Sequence, residues 1–324
     1  MRGRQIWLVA AVVAAALLVA AAWLANVNQP VTRFVEYRME HQRDMPTAIA
    51  AGPDGSIWFT IDLAAAMGRV RDGHLERFPL PSNNVEPSGL GVGPDGSAWY
   101  TDNSARAISR ITPAGEITSF PLGTPIVRVG GLAVSPEGAV WFAEATGYSI
   151  TRLKDGEITR HVFESPGGDP YGVAVAEDGT AWATLRVGNQ LLRIAPDGEM
   201  SAFDLPKPAA GPSDVAVGLD GSVWFVEVRA NRIGRLRNDA FEEYDVPGDN
   251  PVLTGLAVAR DGAVWFGMLR SGSLGRLVDG RVDTFKLPRD GARPCSLAID
   301  TSGNVWYADI SGYVGMLPMR YAHR

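Results

Sequence analysis

Short apolar runs and turn residues alternate along residues 46–317 with a steady beat. Each unit opens on a run in which small and branched residues alternate, such as Gly89-Leu90-Gly91-Val92 or Gly172-Val173-Ala174-Val175. A turn follows, most often Asp-Gly (Asp54-Gly55, Asp95-Gly96, Asp220-Gly221), the dipeptide that supplies positive-φ residues to tight hairpins. The second run carries a tryptophan and is apolar on both faces, as a strand covered from both sides should be. In six units a third run ends in an arginine eleven residues after the tryptophan. Past another turn, a fourth run carries an aromatic residue (Phe78, Phe120, Phe203, Tyr244, Phe285).

The tryptophans that mark the units are Trp58, Trp99, Trp141, Trp182, Trp224, Trp265 and Trp306, spaced by 41 or 42 residues. A period near 40 with four strands per unit predicts an all-β chain, a seven-bladed β-propeller with four-stranded blades. The seventh unit ends before its fourth strand. Tyr37 precedes Trp58 by 21 residues, the same distance as Phe78 to Trp99. A strand at about 33–39 is therefore expected to complete the last blade and close the ring, which removes open sheet edges.

Residues 1–26 stand outside the repeat. Behind Arg2 and Arg4, Ile6–Ala25 is a run of twenty residues without a charge. That is long enough for one apolar helix to span a bilayer and longer than the apolar core of most cleaved signals, so an uncleaved anchor is favoured over a signal peptide cut near Ala20-Ala21-Ala22. The expected organisation is an anchor or signal (1–26), a linker (27–32), the propeller (33–317) and a tail (318–324). The propeller would then lie outside the cytoplasm in the cell envelope, held on the inner membrane through residues 6–25, or free in the periplasm or secreted if the segment is cut. The net charge of −6 comes without any basic block, which argues against nucleic acid as a partner. Cys295 is the single cysteine, so no intrachain disulfide forms. A monomer is expected.

Features present in nearly every blade serve the scaffold, because one active site is needed once. The tryptophans should fill the space between blades, and the arginines should cover an aromatic face or pair with an acid. Function is expected where the copies differ, at the loops before the first strand and after the second, which share the mouth at the narrow end of the channel. That mouth brings together Asp62, Glu86, Asp102, Glu144, Asp169, Glu227 and Asp309 with Tyr171, Arg186, Arg293 and Cys295. All but Asp62 are the ligand-binding candidates. No metal site is assembled by the sequence; a hard cation such as Mg²⁺ or Ca²⁺ would find its nearest carboxylates in Glu86, Asp102 and Glu144.

Segments such as Asn231-Arg232-Ile233-Gly234-Arg235-Leu236 and Gly115-Glu116-Ile117-Thr118-Ser119-Phe120-Pro121-Leu122 give the repeat a recognisable wording. It resembles the streptogramin lyase family of virginiamycin B lyase-like propellers, from about residue 33 to 317. The resemblance implies a propeller that opens the ester ring of streptogramin B antibiotics by elimination with bound Mg²⁺. It also implies a Glu-Pro-His at the start of the last blade, where this chain has Arg293-Pro294-Cys295. A second family histidine falls on Thr254 and a further acid on Ile310, with Asp309 one residue earlier. His41, His74, His161 and His323 occupy none of these positions. Cys295 reads as a small buried residue rather than a nucleophile. The favoured expectation is a propeller that binds a small ligand or partner at its mouth without the family's lyase residues. A divergent metal-dependent lyase or lactone-type hydrolase acting on a cyclic ester is the alternative, and a protein-interaction platform is the third reading.

Overall fold

The computed structural model describes residues 33–41, 43–81, 87–123, 129–163 and 168–322. The expected apolar helix at 6–25 lies outside them, as do Glu86 and His323. Among the described residues no helix is long and apolar enough to cross a membrane. Residues Phe34–Arg324 form one compact unit.

The fold is a seven-bladed β-propeller of four-stranded antiparallel sheets. Blade one holds β2 (Met45–Ala51), β3 (Ile57–Asp62), β4 (Ala66–Arg71) and β5 (His74–Pro79). Blade two holds β6 (Pro87–Val92), β7 (Ala98–Asp102), β8 (Ala107–Ile111) and β9 (Ile117–Pro121). Blade three holds β10 (Val129–Val134), β11 (Val140–Glu144), β12 (Ser149–Lys154) and β13 (Glu157–Val162). Blade four holds β14 (Pro170–Val175), β15 (Ala181–Leu185), β16 (Gln190–Ile194) and β17 (Met200–Asp204). Blade five holds β18 (Pro212–Val217), β19 (Val223–Glu227), β20 (Arg232–Arg237) and β21 (Ala240–Asp245). Blade six holds β22 (Leu253–Val258), β23 (Val264–Met268), β24 (Ser273–Val278) and β25 (Arg281–Lys286). Blade seven is β26 (Pro294–Ile299), β27 (Val305–Asp309) and β28 (Tyr313–Leu317), completed by β1 (Val35–Arg38) from the N-terminal side. Tyr37 stacks on Trp306, with centroids 6.0 Å apart, as its spacing from Trp58 required.

The tryptophans work in two directions. Trp58 packs across the blade junction with Leu90, Ala98, Tyr100 and Ile111. It also lies 5.2 Å from Phe78 of its own outer strand, with the Arg69 guanidinium 4.9 Å from its ring. The pattern recurs at Trp224 with Tyr244 and Arg235. Burying a ring of this size removes about 200 Å² from water, worth roughly 5 kcal/mol. The arginines also reach acids, Arg235 to Asp220 and Arg110 to Asp95, so the repeated Trp, Arg and turn Asp form one unit. The ring closes where Trp306, Ala308 and Val314 meet Ile49, Ile57 and Phe59.

Two kinds of turn use Asp-Gly differently. Between third and fourth strands of blades one, three and six both residues take positive φ, as at Asp72 (49°) and Gly73 (77°), whereas at Asp197-Gly198 of blade four only the glycine does. Between first and second strands only the glycine does (Gly55, 80°), and Asp54 Oδ1 instead accepts from Ser56 N at 3.0 Å. Every first strand carries a register shift near its start. In three blades a threonine hydroxyl from the second strand takes up an amide freed there: Thr60 from Ala48, Thr101 from Gly89 and Thr184 from Gly172.

Candidate functional site

The first residue of each inner strand pairs with the last of the second, three places after the tryptophan in six blades and four in blade one: Met45 with Asp62, Pro87 with Asp102, Val129 with Glu144, Pro170 with Leu185, Pro212 with Glu227, Leu253 with Met268 and Pro294 with Asp309. These pairs put the two loop sets on one face. A separate cavity of about 460 Å³, lined by Pro53, Pro94, Pro136 and Arg260 among others, lies at the turns of the opposite face.

Four of the acids at the mouth, Asp102, Glu144, Glu227 and Asp309, are buried. Asp102 is buried and accepts from Ala105 N at 2.9 Å, which shapes its own loop. Glu144 is buried, bonded by Thr151 Oγ1 (2.9 Å) and Arg160 Nε (3.2 Å). Asp309 is fully buried; Arg289 Nη2 holds one oxygen at 2.7 Å, and the amides of Arg293 and Ser311 hold the other. Glu227 is fully buried, and neither of its oxygens meets a donor among the described residues. Burial, and then the charge of Glu243, push its carboxyl up to about 7. Asp62 sits at the edge of the set and accepts from Leu63 N.

Blade four offers an open surface. The Arg186 guanidinium lies 4.6 Å from the ring centroid of Tyr171 and 3.0 Å from Asp169 Oδ2, while Tyr171 is 41% exposed. Three blades round the ring, Arg293 is exposed and makes no ion pair with the described residues. Two places on, the Cys295 thiol lies 3.4–3.5 Å from the carbonyl oxygens of Pro46, Thr47 and Ala308. Burial, reinforced by the Asp309 charge, pushes it up to about 12, so it carries no thiolate near neutrality. Thr254 Oγ1 donates to Pro294 O at 3.0 Å, and Ile310 is half-buried. His161 stacks on Trp141, 5.5 Å away, and His74 is exposed at the start of β5. His41 is exposed in the loop between β1 and β2, which opens on the mouth face.

Several residues that shape this face carried no sequence signal of their own. Arg160, Arg289 and Glu243 come from outer strands or their loops and act on the buried acids. Asp214 did carry one: it breaks a first-strand column that otherwise reads Ala48, Gly89, Gly131, Gly172, Gly255 and Ser296. Its carboxylate reaches the next blade and accepts from Leu256 N at 2.8 Å. Burial raises its pKa against the pull of the Leu256 and Val215 amides.

The virginiamycin B lyase family model matches residues 27–191 and 182–320. The chain belongs to that family. Virginiamycin B lyase-like structures match it along nearly their whole length. A streptogramin B lyase structure is 27% identical with a TM-score of 0.83, covering 87% of this chain and 96% of that one. A catalytically inactive histidine-to-alanine variant of virginiamycin B lyase from Staphylococcus aureus with quinupristin is also 27% identical, TM-score 0.83, covering 88% and 99%. YCF48 bound to D1 peptide, 13% identical with a TM-score of 0.70 over 90% and 98% of the two chains, shares the fold. No curated protein sequence matches significantly.

Within the virginiamycin B lyase family, Mg²⁺ is the implied metal, and the residues at the matching positions do not suit it. Arg293 brings positive charge, Cys295 is a neutral thiol facing carbonyls, and both oxygens of Asp309 already accept from an arginine or from backbone amides. Among the described residues no three His, Cys, Asp or Glu side chains converge as a metal site would need.

Proposed function

We propose that this member of the virginiamycin B lyase family binds a compact cyclic molecule at its mouth and does not open it. The observation that carries the reading is the contrast between exposed and buried groups on one face. The accessible groups are suited to recognition: the exposed Tyr171 ring with half-buried Arg186 over it, and exposed Arg293, which makes no ion pair with the described residues. An aromatic face with two guanidinium groups suits a ligand that carries a ring and carbonyl or carboxylate acceptors. The carboxylates Glu144 and Asp309 and the Cys295 thiol at the mouth are instead buried or held in structural bonds, and general-base chemistry needs a base within reach of the substrate. A relative described as solved with quinupristin supports a cyclic depsipeptide as the first ligand to try.

Isothermal titration with quinupristin tests the reading. Binding should weaken by at least tenfold in Arg293→Ala and in Tyr171→Ala, with both variants folded, since each removes one of few exposed contacts (about 1.4 kcal/mol per tenfold). Equal binding by wild type and both variants would place the ligand elsewhere. Absence of binding to the wild type would reject this ligand class and favour a protein partner. The same proposal keeps the propeller outside the cytoplasm behind residues 6–25. Fractionation should recover the chain with the envelope, and recovery in the cytosol would contradict it.

A further inference from the structure

Two positions recur in each blade by register. One is the residue three places after the tryptophan; the other lies on the fourth strand, opposite the middle of the third. In blade three these are Glu144 and Arg160, an ion pair. In blade seven they are Asp309 and Glu36, and Arg289 stands between them, 2.7 Å from the first and 2.9 Å from the second. In blade one they are Ile61 and Arg77, and Arg77 turns to Asp44 at 2.7 Å. Blades two, four and six put a neutral residue in at least one of the two places (Ser119, Leu185, Thr284).

Blade five differs. It sets Glu227 against Glu243, two carboxyl groups within hydrogen-bonding reach and with no bridging cation among the described residues. Glu227 is fully buried, and among the described residues both of its oxygens and Glu243 Oε1 lack a donor. The nearby cations contact Glu243 Oε2 (Arg232 Nη1 of β20 at 3.1 Å, Lys207 Nζ of the β17–β18 loop at 3.6 Å), and their charges pull the Glu227 carboxyl down by less than burial and Glu243 push it up. Asp245 in turn holds Arg232 Nε at 2.6 Å. A fully buried carboxylate beside a half-buried one is disfavoured as a doubly ionised pair, and a single shared proton relieves both the repulsion and the missing donors.

The β17–β18 loop is seated on this pair. Besides the Lys207 contact, Val228 N and Arg229 N donate to Gly211 O and Ala210 O at 3.3 and 3.0 Å. Arg229 also packs beside Gly211. We infer that Glu227 and Glu243 form a one-proton latch between blades four and five: the shared proton keeps residues 205–211 seated on the mouth face, and its loss lets that loop lift. The inference stands apart from the ligand-binding proposal, since it concerns how the face holds together rather than what it takes up.

The sign follows from the raised carboxyl. Opened to water, Glu227 titrates near the ordinary 4.5, and closed it titrates at about 7. Opening therefore releases a proton across that window and becomes easier as pH rises, about tenfold per pH unit, before levelling off above about 7. Native-state hydrogen exchange of the full chain reads this at the Ala210, Val228 and Arg229 amides, after correction for intrinsic exchange. Their opening constants should climb about tenfold per unit from about pH 5 to about pH 7 and then flatten, and the climb should vanish in Glu227→Gln. The same slope in wild type and variant, or no slope in wild type, would overturn the latch. Infrared spectra of wild-type protein with labelled glutamate provide a readout that needs no variant. A protonated carboxyl band should persist at about pH 6 and fade by about pH 8, and its absence at about pH 6 would equally overturn it.

Discussion

Gly68 faces the ring of Phe59 so closely that a Cβ there would lie 2.0 Å from Cζ. Gly234, Gly275 and Gly315 stand in the same way against Phe225, Phe266 and Tyr307. In these four blades the aromatic ring after the tryptophan lies flat over the third strand, and the missing side chain is what admits it. Ser109 takes the place in blade two, Thr151 in blade three and Leu192 in blade four, where Ala183 stands in for the ring. Gly68→Ala should therefore destabilise the chain by about 1–3 kcal/mol through overpacking, even though alanine normally suits a strand better than glycine. Denaturant unfolding checks it: a lower midpoint at unchanged slope is expected, and an unchanged or higher midpoint would show that the ring has room to move.

At the scale of the strand, β1 matters most. It supplies the fourth strand of blade seven through the pairs Val35 with Met316 and Arg38 with Tyr313, and it brings Glu36 to Arg289 and to the Tyr307 hydroxyl. A chain begun at residue 46 should lose that edge and unfold well below one begun at residue 30; equal melting temperatures would show that the closure adds nothing. This strand was legible in the sequence because Tyr37 keeps the 21-residue spacing to the next tryptophan, and the seven blades were legible because the same aromatic, arginine and turn residues recur. The glycine column was not read, although Gly68 and Gly234 stand one place before the repeated arginine. The partners of the buried acids were beyond reach for a physical reason. Arg160 and Arg289 stand well along the chain from Glu144 and Asp309, and the same two positions hold a different pair of side chains in each blade.

For the molecule as a whole, the repeated residues build the ring, and the loop ends at the mouth are where charged residues differ from blade to blade. Asp102, Glu144, Glu227 and Asp309 could be named as residues where the blades stop agreeing, and they do share that face. Their burial was not legible, because a period-two pattern reports which side of a strand a residue takes and not what covers it. Among the described candidates Tyr171 and Arg293 are exposed, and Asp169 and Arg186 are half-buried. The central claim is that this mouth recognises its ligand without opening it. The most direct measurement is chromatography of quinupristin after incubation with purified protein and Mg²⁺. The account predicts unchanged cyclic compound at a protein concentration where titration shows it bound. Accumulation of the linear product with wild-type protein, abolished by a substitution at the mouth such as Arg293→Ala, would contradict it.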